Sequence, residues 1–167
     1  MPLDTRLPPR QNPERNKLTL QADLSTPPVW ARRLGYAGLL PFVGLAIATC
    51  YFQDGLRLQW AYALLTYAAT IASFLGAINW GLAMRAQQVS EPAIAVWLWG
   101  VIPCLLAWVA LLIPLGAGLW SLAVLLWACY GVDSQAYPRL GVQEWLSMRL
   151  VLTQVASACC AIGAMAV

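Results

Sequence analysis

PAIAVWLWGVIPCLLAWVALLIPLGAGLWSLAVLLWACYGV, residues 92–132, contains no Asp, Glu, Lys or Arg. A helix needs about 20 apolar residues, at roughly 1.5 Å rise each, to cross about 30 Å of bilayer hydrocarbon. The run has about twice the length one crossing requires. Pro114-Leu115-Gly116, near its middle, is a turn signal. The stretch therefore reads as two membrane spans joined by a tight hairpin.

The rest of the chain follows the same pattern. Residues 34–53, 58–84 and 150–167 are also free of charge. The 167-residue chain is 60% hydrophobic and 10% charged, with no histidine. A soluble domain carries about 25% charged residues. A surface so poor in charge would aggregate in water, so bilayer hydrocarbon is the fitting solvent. The expected fold is all-α: a polytopic membrane protein with a bundle of five transmembrane helices at 30–52, 59–84, 93–113, 116–132 and 147–167, all within residues 29–167.

Residues 1–28 read as an extended tail that orders only on a partner. They are rich in proline and charge and have no apolar h-region, so no cleavable signal peptide is expected. Ser25-Thr26-Pro27-Pro28 reads as a helix start. Residues 133–146 read as the longest loop, with Tyr137 and Trp145 as interfacial anchors and Gly141–Trp145 as a short surface helix.

Orientation follows from the basic residues. Arg6, Arg10, Arg15, Lys17, Arg32, Arg33, Arg85, Arg139 and Arg149 fall on one side, and only Arg57 falls on the other. The expected topology has a cytoplasmic N terminus and a periplasmic C terminus in a bacterial inner membrane. The net charge of +3 then reflects topology and contact with anionic lipid, with no nucleic-acid partner expected.

Several residues stand out within the spans. Pro41 and Pro103 each remove a backbone hydrogen bond and are expected to kink their helices. Ala68, Ala72 and Gly76 recur at four-residue spacing, and Ser73 and Gly81 belong to a parallel row. Small-xxx-small rows let helices approach closely, which makes the second helix the expected hub. Asn79 and Trp80 lie just inside Arg85; six residues of helix put Asn79 about 9 Å deeper. Asp133, Arg149, Thr153 and Gln154 are the expected partners of Asn79 at that depth, and Tyr137 and Arg139 complete a candidate polar cluster or partner contact. The five cysteines all fall in spans, include no CxxC pair and read as small packing residues, so no metal is expected.

FLGAINWGLAM, the preceding TYAATIAS, WLWGVIPCLLAWVALLI, and the later order of Asp, Tyr, Arg, Trp and MRLVLT together resemble one family. It is the domain of unknown function 3429 family, related to animal transmembrane protein 69. The resemblance covers roughly residues 34–160 and implies a small multi-spanning protein of bacterial and mitochondrial inner membranes. It also implies His or Arg before the motif tryptophan, where this chain has Asn79, which speaks against a ligand role at that position.

Catalysis is not expected. General acid–base work at neutral pH relies on His or on clustered carboxylates. This chain has no His, and Asp54, Glu91, Asp133 and Glu144 are spread over expected loops. Imidazole-held cofactors are excluded for the same reason, and no cofactor is expected. The expected function is non-catalytic: an accessory subunit or assembly factor packed against a larger membrane complex, such as a respiratory or photosynthetic one. The alternative is a carrier or binding protein for a neutral or lipid-like molecule such as a quinone. The expected partners are membrane lipids and other membrane-protein subunits.

Overall fold

The computed structural model describes residues 27–86, 94–139 and 141–167. The expected tail, including Ser25 and Thr26, lies outside the described residues. Six helices follow in order: α1 (Val29–Ala37), α2 (Leu39–Tyr51), α3 (Asp54–Ala86), α4 (Ile94–Ala110), α5 (Leu115–Arg139) and α6 (Trp145–Ala166). No strand occurs among the described residues. α1 and α2 form one 23-residue apolar span, and α3, α5 and α6 are also long and apolar enough to cross a membrane. α4 is shorter, at 17 residues. The fold is thus a five-pass helical bundle.

The first span is interrupted at Gly38, and the reason is Pro41. Lacking an N–H, Pro41 cannot bond the Ala37 carbonyl four residues back, so the helix breaks there. Pro41 itself sits in the first turn of α2, where no donor is needed. Tyr67 of α3 donates its hydroxyl to the adjacent Gly38 carbonyl at 2.8 Å. Its ring meets Phe42 edge-on at 4.9 Å.

α3 packs against α2, α4, α5 and α6. Its small residues explain how. Ala68 and Ala72 are fully buried. A Cβ on Gly76 would lie 2.6 Å from the Gly100 carbonyl of α4 and 3.4 Å from Pro103. Pro103 lies inside α4 and is buried at this crossing. The parallel row behaves differently. Ser73 is half-buried and donates to the Ala69 carbonyl of its own helix at 2.9 Å. Gly81 is exposed, with open space where a Cβ would point, so it packs no helix. The row drifts off the buried face because a four-residue repeat exceeds the 3.6-residue turn.

Four boundaries differ from the expected ones. The helix expected at 59–84 starts earlier, at Asp54, and runs to Ala86. The span expected at 93–113 ends as helix at Ala110, where Leu111 and Leu112 bond back three residues in tighter turns before Pro114. The helix expected at 116–132 runs on to Arg139, so residues 133–139 are helix and not loop. A charge at Asp133 need not end a helix when it is neutralised inside the bundle. α5 stops instead at Gly141, whose φ is +70°. Val142 N–H bonds the Tyr137 carbonyl at 3.0 Å and Gly141 N–H bonds that of Pro138. This is a Schellman ending, which glycine allows because it has no Cβ penalty at positive φ. Gly141–Glu144 is therefore a turn, and the expected short surface helix is absent from it.

Candidate functional site

Three inward-facing stripes converge at the end of the bundle that carries Arg85, Arg139 and Trp145. On α5, Leu119, Leu122, Leu126, Cys129, Asp133 and Tyr137 follow at three- and four-residue spacing and are all buried. On α6 the stripe is Arg149, Thr153, Ala156 and Cys160, and on α3 it is Ala68, Ala72, Leu75 and Asn79. Each stripe is apolar along most of its length and turns polar at the same level. The packing that buries the apolar part therefore brings the polar residues together.

Asp133 is the centre of the cluster. Its Oδ2 accepts from Arg149 Nε at 3.0 Å and Nη2 at 2.6 Å, while Asn79 Nδ2 donates to Oδ1 at 3.3 Å. Asn79 also donates to the Leu75 carbonyl of its own helix. The two charged side chains are 7% and 2% exposed. An isolated charge here would be severely penalised. The pair persists because both carboxylate oxygens are engaged by donors on two other helices. Asp133 thereby ties α3, α5 and α6 together. Tyr137, one turn further along α5, is 4% exposed beside the pair, so it is a cluster residue and not the expected interfacial anchor.

Other expected members lie elsewhere. Gln154 is exposed, because one residue beyond Thr153 turns a side chain about 100° around the helix. Trp80 likewise points away from Asn79. Its Nε1 donates to the Trp97 carbonyl of α4 at 2.8 Å, and its ring meets Trp97 edge-on. It lies over Gly100, where a Cβ would land on the indole. Trp80 is thus the clamp between α3 and α4. Arg85 and Arg139 are exposed at the helix ends.

Next to the cluster is a cavity of about 580 Å³ bounded by α1, α2, α3, α5 and α6. Ligand pockets are typically about 300–1,000 Å³. The walls are mostly aliphatic and aromatic, with Phe42, Leu126 and Ala156 deepest among the buried lining residues. Leu34 and Phe74 also line it and are 72% and 61% exposed, so the cavity reaches the outer face of the bundle between α1 and α3. Tyr137, Arg149 and Thr153 form its polar wall, and Arg85 and Trp145 stand at the end nearest the helix termini. Thr153 Oγ1 is buried and has no hydrogen-bond partner.

The sequence pointed to Asp133 and Arg149 as partners of Asn79, and the structure bonds Asp133 to Asn79 and to Arg149, with Asp133 inside a helix where a loop was expected. For the cavity, the sequence offered only the bends expected at Pro41 and Pro103. Gly35 and Gly38 line the cavity beside the Pro41 break. No group of three or more metal-ligating side chains occurs among the described residues. Cys129, Cys159 and Cys160 are buried in the apolar core.

Comparison with known proteins gives one family and one curated relative. A family model described as "Protein of unknown function (DUF3429)" matches residues 27–165. Transmembrane protein 69 of Xenopus tropicalis is 37% identical over 93 residues, covering 53% of this chain and 35% of that protein. The match thus spans about a third of the relative's length. No solved structure matches.

Proposed function

This chain belongs to the DUF3429 family, described as proteins of unknown function, and from that premise we propose that it is a non-catalytic membrane protein that holds a lipid-like molecule in the cavity beside the Asp133–Arg149 pair. The observation that carries the reading is the shape and lining of that cavity. It is apolar over most of its wall, has Tyr137, Arg149 and Thr153 as its polar part, and is open past the exposed Leu34 and Phe74. A molecule with a tail and a small head matches this gradient, and a membrane-dissolved one could enter without passing through water. Among the described residues that line it, the titratable groups are Arg85, Tyr137 and Arg149, with Asp133 held by Arg149, and no nucleophile–base pair occurs among them. The positive-inside rule favours the Arg85 end facing the cytoplasm of a bacterial inner membrane, with Val167 in the periplasm.

The test is purification in mild detergent followed by lipid extraction and mass spectrometry. A stoichiometric lipophilic molecule should accompany the wild-type chain and be lost in Ala31→Trp, which fills the cavity from α1. Recovery of nothing beyond bulk phospholipid in membrane proportions would overturn the reading.

A second reading, an accessory subunit or assembly factor, is favoured by the first span. Only 17% of its most apolar window is buried within the chain, against 44–50% for the other long spans. A stoichiometric membrane-protein partner in the same purification, cross-linking through α1 or α2, is its expected signature.

A further inference from the structure

Thr153 is at odds with every comparable side chain in the bundle. All other serine and threonine hydroxyls among the described residues donate to a backbone carbonyl three or four residues back. This is the ordinary way a hydroxyl satisfies itself in a membrane helix. Thr153 is 2% exposed, makes no such bond and lines the cavity. Buried hydroxyls are normally bonded, so an unpartnered one needs a reason.

Its surroundings narrow that reason. Arg149, one turn earlier on α6, gives Nε and Nη2 to Asp133 and leaves Nη1 unengaged by that carboxylate. Tyr137 lies on the same wall. The polar end of the cavity is therefore rich in donors. The two buried charges there cancel one another, and Arg85 is out at the exposed end. Such a site suits an uncharged acceptor. A full negative charge would have to compete with Asp133 for the same guanidinium.

Resting on the reading of the cavity as a lipid site, we infer that its occupant is a neutral amphiphile whose head carries a carbonyl oxygen that accepts a hydrogen bond from Thr153 Oγ1–H, with Arg149 and Tyr137 beside it. Quinones and the esters of diacylglycerol share this chemistry. The apolar tail lies along Phe42, Leu126 and Ala156 and leaves past Phe74.

The experiment uses the full chain in detergent, with binding measured by native mass spectrometry. The probes are decylubiquinone, dioctanoylglycerol, decylbenzene (similar bulk, no acceptor) and an anionic phosphatidylglycerol. Wild type should bind at least one carbonyl probe about five- to tenfold more tightly than decylbenzene, the yield of one neutral hydrogen bond. Which carbonyl probe wins separates the quinone from the glyceride. Thr153→Val, of nearly unchanged shape, should erase the preference, and Thr153→Ser should restore it. The infrared stretch of an isotope-labelled quinone carbonyl should fall on binding to wild type and Thr153→Ser, but not to Thr153→Val. Equal binding of decylbenzene and carbonyl probes by wild type and Thr153→Val would overturn the inference while leaving the lipid site standing. Preference for phosphatidylglycerol would overturn it in favour of a charged head. Failure of every probe to bind would remove both.

Discussion

Removing Asp133 tests the tie that holds three helices together. In Asp133→Ala, Arg149 loses the acceptor of the two bonds it donates, at 3.0 and 2.6 Å, and Asn79 loses that of the one it donates at 3.3 Å. With the charge centres about 4 Å apart and an effective dielectric of about 20, the lost attraction is about 4 kcal/mol. That agrees with the roughly 3–5 kcal/mol seen when one partner of a buried pair is deleted. Arg149→Ala should cost a similar amount, since it leaves a buried carboxylate with Asn79 alone. The double variant Asp133→Leu, Arg149→Met should cost far less than the two singles summed, because it leaves no buried charge. Unfolding in mixed micelles of increasing SDS, followed by the fluorescence of the nine tryptophans, gives the cycle. If both single variants lose less than about 1 kcal/mol and their effects simply add, the pair is not what joins α3, α5 and α6.

Four further outcomes are expected. Gly100→Ala places a methyl on the Trp80 indole and should cost about 1–3 kcal/mol in the same unfolding assay. Gly81→Ala, with open space around its Cβ, should leave stability unchanged or slightly raised, so the two glycines form an internal comparison. Thr153→Val removes an unpaired buried hydroxyl and should raise the stability of ligand-free protein by about 1 kcal/mol; a clear loss would mean the hydroxyl has a structural partner. Alkaline phosphatase fused after Val167 should be active and a fluorescent protein fused at Met1 should be bright in bacterial cells, and the reverse pattern would invert the topology.

The resemblance seen in the motif around Asn79 and the family match agree, and the residues quoted for it divide into two jobs in the folded chain. Asn79 turns inward to Asp133, while Trp80 turns outward to clamp α4 against Gly100. Adjacent positions on a helix diverge by about 100°, so a motif contiguous in sequence need not be one site. The same geometry turned Gln154 outward and kept Thr153 buried on the inner face, where it bonds neither Asn79 nor Asp133 as expected. Tyr137 illustrates the opposite error. It read as an interfacial aromatic because the charge at Asp133 looked like the end of a helix, yet the helix continues and buries both.

Charge-free run lengths determined the solvent, the all-helical class and the five passes, because hydrocarbon cannot hydrogen-bond a stray backbone group or tolerate an unpaired charge. Those penalties act residue by residue along the chain, and a linear pattern records them. The cavity, the isolation of Thr153 and the mutual neutralisation of Asp133 and Arg149 were decided only when α1, α3, α5 and α6 met. Each depends on how far apart two helices stand and which way a side chain turns, and neither quantity is written in the order of residues along one helix.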